Sequence, residues 1–180
     1  EHIAMIFQDA LAALNPSQTV GSQIGEMFTL HRGIRRHEAF QYAIELMNRV
    51  RIPAAAKRAH CYPHEFSGGM RQRIMIATAI ALEPEVLIAD EPTTALDVTV
   101  QSQIMDLLTE LRTERNMGLV LISHDLGVVA DVADRVLVMY AGQIMEYGPL
   151  REVYRTPVIL TPSGFSIRFP TINHREEGYN

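Results

Sequence analysis

Three short apolar runs constrain the fold most, because polar residues end each run and helical segments lie between them. The runs are "HIAMIF" at residues 2–7, "VLIAD" at residues 86–90 and "GLVLIS" at residues 118–123. Helical periodicity covers residues 69–82 and 99–115, and a short helix is expected from Asp125. This alternation predicts an α/β fold, with a parallel sheet and helices packed on it.

The rest of the chain divides by its patterning. Residues 1–19 form part of a core strand and a loop, and residues 20–65 are expected to form a helical subdomain. One face of that subdomain is apolar and comprises Ala39, Ala43, Leu46, Met47 and Val50. Residues 66–150 are assigned to the α/β core, which ends in a hairpin around Ala141 and Gly142. Residues 151–180 are expected to be an irregular tail.

Composition excludes several classes of protein. The formal net charge is -5 and the 16 Lys and Arg residues are scattered, so we expect no nucleic-acid partner. A single cysteine, Cys61, excludes an internal disulfide and indicates a reducing compartment. No apolar run approaches the roughly 18 residues that span a bilayer, and no signal peptide is seen. Any membrane role is therefore expected to be peripheral.

Two adjacent carboxylates follow the apolar run at residues 86–90. Asp90 and Glu91 lie at its carboxyl end, where open α/β sheets bind their ligands. One carboxylate can hold magnesium through water, and the other can accept a proton from an attacking water. Taken alone, the pair is more often an exposed acidic loop.

A Ser-Gly-Gly loop, comprising Ser67, Gly68 and Gly69, precedes the helix predicted at residues 69–82. Ser67 is a natural N-cap, and the glycines permit close approach of a ligand to the backbone. Amides at a helix start favour an anion such as a terminal phosphate. By itself the loop is more often an ordinary cap with a glycine turn.

Three further polar residues follow strands or begin helices. His124 follows "LVLIS" and can bond a phosphate oxygen or orient water, and Gln8 can reach metal or water. Asp97 is a candidate N-cap of the next helix. Each has a structural explanation as a turn or capping residue. Together with the carboxylates and the glycine loop, however, they suit one magnesium-bound phosphate ligand.

These motifs resemble those of the ATP-binding subunits of ABC transporters over about residues 3–148. "FSGGMRQR" is similar to the family's signature loop, "VLIADEP" to its Walker B strand, and "IFQDALAALNP" to its glutamine loop. "TALD" resembles the D-loop and "ISHD" the histidine switch. Within the family, "ADEPTTALDVTVQ" and "VMYAGQIMEYG" most resemble the dipeptide and oligopeptide importer branch, which includes nickel importers.

The resemblance implies a fold like that of P-loop NTPases and a role for each motif residue. Asp90 and Gln8 would contact magnesium, Glu91 would be the general base, and His124 would contact the γ-phosphate of ATP. The Ser-Gly-Gly loop would clasp the γ-phosphate of a nucleotide bound mainly by a second ATPase subunit. Asp97 would contact that subunit, in a homodimer or a heterodimer.

The resemblance also implies partners and a location. Transmembrane permease subunits would dock on residues 20–65, and an extracytoplasmic substrate-binding protein would take part indirectly. The chain would lie peripherally at the cytoplasmic face of the inner membrane. Specificity would reside in the binding protein and the permease, so the transported peptide or metal cannot be read from these residues.

One family motif is missing from the chain. The only lysine is Lys57, in "AAAKRAH", so no G-x-x-x-x-G-K-[ST] loop for the nucleotide phosphates is present. We therefore expect an N-terminally truncated ATPase with exposed apolar sheet surface and weak nucleotide binding of its own. Two alternatives are a non-transport ABC ATPase and a non-catalytic module that lends its signature loop to a partner ATPase.

Overall fold

A computed structural model describes residues 2–155, and these form two units that are described separately. The first unit, up to Asp125, contains a three-stranded parallel sheet in the order β1-β2-β3. Its strands are β1 (Ile3–Ile6), β2 (Val86–Asp90) and β3 (Gly118–Ile122). The predicted α/β fold with a parallel sheet is confirmed.

Most helices of this unit lie where periodicity predicts them, but one short helix lies within residues 1–19, where the sequence predicts a loop after the strand. They are α1 (Ala10–Ala13), α2 (Val20–Arg32), α3 (Arg36–Arg49), α4 (Ala55–Arg58), α5 (Gly68–Ile80) and α6 (Val98–Arg115), with a short 3-10 helix at Pro63–Glu65. All five apolar residues of the predicted face at residues 39–50 are buried. These residues lie on α3 and at its C-terminal end, and α3 packs against α2 and α5.

Helix α5 lies at the centre of this packing, since it contacts α2, α3, α6 and β1. Its side chains Ile74, Ile76 and Ile80 are fully buried. Arg73 is buried as well, and its guanidinium donates to Val50 O and Gln103 Oε1, each at 3.0 Å. The helix that begins at the Ser-Gly-Gly loop is therefore held on several sides.

The sheet has one covered face and one open face. Ile6, Leu87 and Ala89 point to the covered face and are fully buried. The other face carries apolar side chains that remain exposed, such as Ile3 at 64% and Val120 at 49%. The expectation of exposed apolar sheet surface is confirmed, whereas the expectation that β1 is buried is wrong for Ile3 and Met5. Strand alternation explains this, because successive side chains of β1 point to opposite faces.

The second unit begins at Leu126 and contains α7 (Leu126–Val132), β4 (Arg135–Tyr140), β5 (Gln143–Pro149) and α8 (Leu150–Arg155). Strands β4 and β5 form the predicted antiparallel hairpin. Its two turn residues, Ala141 and Gly142, both have positive φ angles, of 47° and 78°, as a two-residue turn between twisted strands requires.

The predicted subdivision at residues 20–65 and 66–150 stays a prediction. Most of the predicted tail, residues 156–180, lies outside the described residues. Within residues 2–155, no helix combines the length and apolar character needed to cross a bilayer.

Candidate functional site

The ends of the three parallel strands bring the predicted polar residues to one edge of the sheet. Gln8 lies two residues after β1, Glu91 directly follows β2, and His124 lies two residues after β3. Parallel strands in this register end together, since Asp90 pairs with Ile122 and Ile6 with Ala89. Gln8, Glu91 and His124, which the sequence suggests could serve one ligand, therefore lie at one edge of the sheet.

Glu91 is the centre of those contacts. Gln8 Nε2 donates to Glu91 Oε2 at 2.7 Å, and Thr94 Oγ1 donates to the same oxygen at 2.9 Å. His124 Nδ1 lies 3.1 Å from Glu91 Oε1. An ionised carboxylate oxygen can only accept a hydrogen bond, so the proton of this bond is on Nδ1. We call Gln8, Glu91, Thr94 and His124 the carboxylate cluster. Both carboxylate oxygens are engaged within it.

The backbone of Glu91 is also unusual. Its φ angle is 44°, in the left-handed region that a side chain with a Cβ adopts at a cost of roughly 1–2 kcal/mol. The residue is held there because its amide donates to Ile122 O at 2.9 Å and its carbonyl accepts from Thr94 N at 3.2 Å. Strain of this kind is concentrated at functional sites. Here it aims the carboxylate across the strand ends.

The cluster fixes the charge of Glu91. Hydrogen bonds from His124 and then Thr94 lower the pKa of this carboxyl below its ordinary value of 4.5, and partial burial opposes them only in part. The side chain is 26% exposed, while that of His124 is 75% exposed. At neutral pH, Glu91 is therefore an ionised acceptor that solvent can still reach.

Asp90 ends β2 and is half-buried beside the cluster. No group of three or more His, Cys, Asp or Glu side chains within residues 2–155 is arranged to hold a metal ion. A magnesium ion that takes most of its ligands from water and phosphate needs only one or two protein oxygens. Asp90 and Gln8 fit such an ion, but they do not form a cage of their own.

The Ser-Gly-Gly loop lies at the start of α5, as predicted. Ser67 is the N-cap residue, yet its side chain makes no capping hydrogen bond. The residue before the loop is fixed in place, because Phe66 is buried and its carbonyl accepts a hydrogen bond from Arg71 Nε at 2.9 Å. The Ser67 hydroxyl and the first amides of α5 are thus available to an anion.

Asp97 begins α6 and accepts a hydrogen bond from Val100 N at 2.9 Å, which confirms its prediction as an N-cap. The space beside the Ser-Gly-Gly loop is occupied by this same region. A Cβ on Gly68 would lie 3.6 Å from Leu96, and one on Gly69 would meet Val100. The loop therefore contacts the start of α6.

The predicted residues consequently fall into two groups. Gln8, Glu91 and His124 are joined by hydrogen bonds, whereas Ser67 has no hydrogen bond to any of them in the part of the chain described.

Thr94 was not among the residues predicted from the sequence. The sequence could have indicated this contact. Thr94 lies three residues after Glu91 in "EPTT", and a turn at that spacing brings its hydroxyl back to the carboxylate. The contact between Gly69 and Val100 had no comparable signal, because these residues lie far apart in the chain.

A parallel sheet with a carboxylate cluster at its strand ends, together with a glycine loop that opens a helix, defines an ATP-binding-cassette type of domain. The family model described as ABC transporter matches residues 1–94, slightly more than half of the chain. The chain belongs to the ABC transporter family.

Individual relatives are similar over most of this chain. The oligopeptide transport ATP-binding protein OppD of Salmonella typhimurium is 57% identical over 158 residues, which cover 88% of this chain and 47% of OppD. A putative peptide import ATP-binding protein of Brucella melitensis is 57% identical over 155 residues, covering 86% of this chain and 46% of the relative. The chain thus spans about half the length of the curated relatives it matches.

Solved structures show the same fold. A dimeric post-hydrolysis state of the ATP-binding cassette MJ0796, bound to ADP and Pi, superposes with a TM-score of 0.72 at 29% identity, covering 84% of this chain and 64% of that one. CbiO1 from Clostridium perfringens, part of the ABC transporter complex cbiONQ, gives a TM-score of 0.73 at 29% identity, covering 86% and 59%.

The described residues include groups of the kind that bind a phosphate. The Ser67 hydroxyl and the α5 amides suit a phosphate oxygen, and the cluster suits a water beside it. No G-x-x-x-x-G-K-[ST] segment occurs within the 180 residues, and Lys57 lies on α4. These residues could therefore contact one phosphate group, but they include no loop that would wrap around the triphosphate.

Proposed function

We propose that this chain is part of the ATP-hydrolysing subunit of an ABC importer for di- or oligopeptides. The observation that carries the proposal is the carboxylate cluster, in which an ionised Glu91 at a strand end is bonded to Gln8 and His124. This arrangement places a proton acceptor, an amide and an imidazole around one point. Peptide import is inferred from two similar relatives, an oligopeptide transport and a putative peptide import ATP-binding protein.

In this proposal Glu91 orients the attacking water and takes its proton. A bound magnesium nucleotide supplies the phosphoryl group and the cation that offsets its charge. Asp90 and Gln8 would hold that cation, and His124 would turn toward the terminal phosphate. Glu91 can accept from the water without first losing its partners, because an ionised carboxylate has about four lone-pair sites and the hydrogen bonds from Gln8, Thr94 and His124 use three of them.

The Ser-Gly-Gly loop would act on a nucleotide held by a second ATPase subunit, and Asp97 would contact that subunit. The dimeric state of MJ0796 supports such an arrangement. The second subunit would supply the phosphate-cradling loop and its lysine.

The permease is proposed to dock in a groove of about 690 Å³ beside β1, α1, α2 and α5. We call it the methionine groove, since its apolar lining includes Met27 and Met75 with Leu14 and Leu82, and Gln23 and Glu26 also line it. Methionines adapt to irregular surfaces, and such grooves accept amphipathic helices. The chain would then lie at the cytoplasmic face of the inner membrane, with a substrate-binding protein outside.

The test uses the subunit purified from its own cells through an affinity tag. We expect permease subunits to co-purify, and ATP turnover in proteoliposomes to rise when peptide and binding protein are added. Glu91→Gln should abolish turnover without preventing ATP binding. Met27→Glu should release the permease, whereas Leu30→Glu, on the exposed side of the same helix, should not.

Other outcomes would favour other functions. Co-purification with DNA-repair or ribosomal proteins, without permease, would indicate a non-transport ABC ATPase. If Glu91→Gln leaves partner-stimulated turnover unchanged while Ser67→Arg abolishes it, the chain is a non-catalytic module that lends its loop to a partner.

A further inference from the structure

The start of α5 and the start of α6 approach each other unusually closely. A Cβ built on Gly69 would lie 2.5 Å from Val100 Cγ1, well inside any real carbon contact. The neighbouring glycine differs, because a Cβ on Gly68 would meet Leu96 Cδ2 at 3.6 Å, an ordinary van der Waals distance. The two glycines of the loop are therefore not equivalent within their own chain.

Val100 has little freedom to move away. Its amide is bonded to the Asp97 carboxylate at 2.9 Å, which fixes the first turn of α6. A β-branched side chain in a helix also keeps one strongly preferred χ1 rotamer. The Cγ1 methyl is thus a fixed obstacle, and only a residue without a side chain fits opposite it.

We propose that Val100 is a positioning residue that sets where the Ser-Gly-Gly loop lies, and that residue 69 is glycine because the γ-methyl of Val100 fills the adjacent space. The consequence for catalysis rests on the proposed function. In that function the loop must meet a phosphate of the second subunit, so a shift of α5 against α6 displaces the clasp from its target.

The first arm of the test is a thermal-unfolding cycle on the 180-residue chain. Gly69→Ala should lower Tm by about 2–8 °C, because the added methyl overpacks against Val100. In the Val100→Ala background the same substitution should leave Tm unchanged or raise it by about 1–4 °C, since alanine favours the helix. Gly68→Ala is the matched control and should cause no loss of Tm.

The second arm measures ATP turnover in the natively purified complex. Gly69→Ala should lower kcat at least tenfold with little change in KM for ATP, and Gly69→Ala with Val100→Ala should recover most of that loss. Val100→Thr keeps a branched side chain and should preserve kcat. If Val100 only stabilised the helix, preserved kcat in this variant would not be required.

Each outcome decides the inference. If the effect of Gly69→Ala on Tm is the same with and without Val100, the steric relation is wrong. If Tm recovers in the double variant but kcat does not, Val100 stabilises the fold without positioning the loop. A wild-type complex that hydrolyses no ATP would refute the proposed function and the catalytic consequence, while the unfolding cycle would still judge the packing.

Discussion

Replacing Gly21 by alanine tests how tightly the helical part of the chain is packed. Gly21 lies in the first turn of α2, where an added Cβ would be 2.6 Å from the Phe40 ring and 2.9 Å from both Ala59 Cβ and Ala59 O. Two backbone hydrogen bonds cross the same contact, from Gly21 N to Ala59 O and from Val20 N to Cys61 O, each at 2.9 Å.

The magnitude follows from these distances. Overpacking of a closed contact costs about 1–3 kcal/mol, and the higher helix propensity of alanine returns roughly 0.5–1 kcal/mol. The ring of Phe40 could rotate, but the carbonyl of Ala59 belongs to the backbone and yields only if α2 moves. We therefore expect a net loss of about 1–2 kcal/mol, which lowers Tm by roughly 2–8 °C for a chain of this size.

The assay is thermal unfolding followed by circular dichroism, with urea unfolding to give the free energy. Gly118→Ala is the control, because its added Cβ would meet Val86 Cγ2 at 3.5 Å, an ordinary contact, and Tm should not fall. A Gly21→Ala variant that melts at or above the wild-type temperature would refute the argument that α2 can come no closer to Ala59.

Three further predictions concern the site and the sheet. Thr94→Val removes a donor to Glu91, so the carboxyl pKa rises toward its ordinary value and the acid limb of turnover should move to higher pH; Thr94→Ser should leave the limb in place. The pKa of Glu91 is lowered on folding, so its contribution to stability is present above pH 4.5 and is lost as pH falls through the lowered value. Thr94→Val should reduce this loss of stability at acid pH, as measured by Tm across a pH series. Asp97→Ala should cost about 1 kcal/mol and lower Tm by roughly 2–4 °C through loss of the α6 cap, an effect that Asp97→Asn should largely avoid. Val120→Thr with Ile122→Thr should reduce binding of an apolar dye, and unchanged dye fluorescence would mean that the open sheet face is covered in solution.

Much of the fold was predictable because its patterns are local. The runs at residues 86–90 and 118–122 are apolar and bounded by turn residues, and the structure has strands there. The rim formed by Glu91 and His124 was predictable as well, because carboxyl ends of parallel strands meet at one edge. The exposed face of β1 was not, since an unbroken apolar run gives no sign of which side finds a partner.

The sequence by itself determined the order of strands and helices, the residue types at each strand end and the absence of a phosphate-cradling loop within these 180 residues. These properties depend on composition and on short-range periodicity. Only the tertiary structure decided that Gln8 holds Glu91, that Glu91 adopts a left-handed backbone, and that Gly69 lies against Val100. Such contacts join residues distant in the chain or depend on side-chain geometry, so they are fixed by packing.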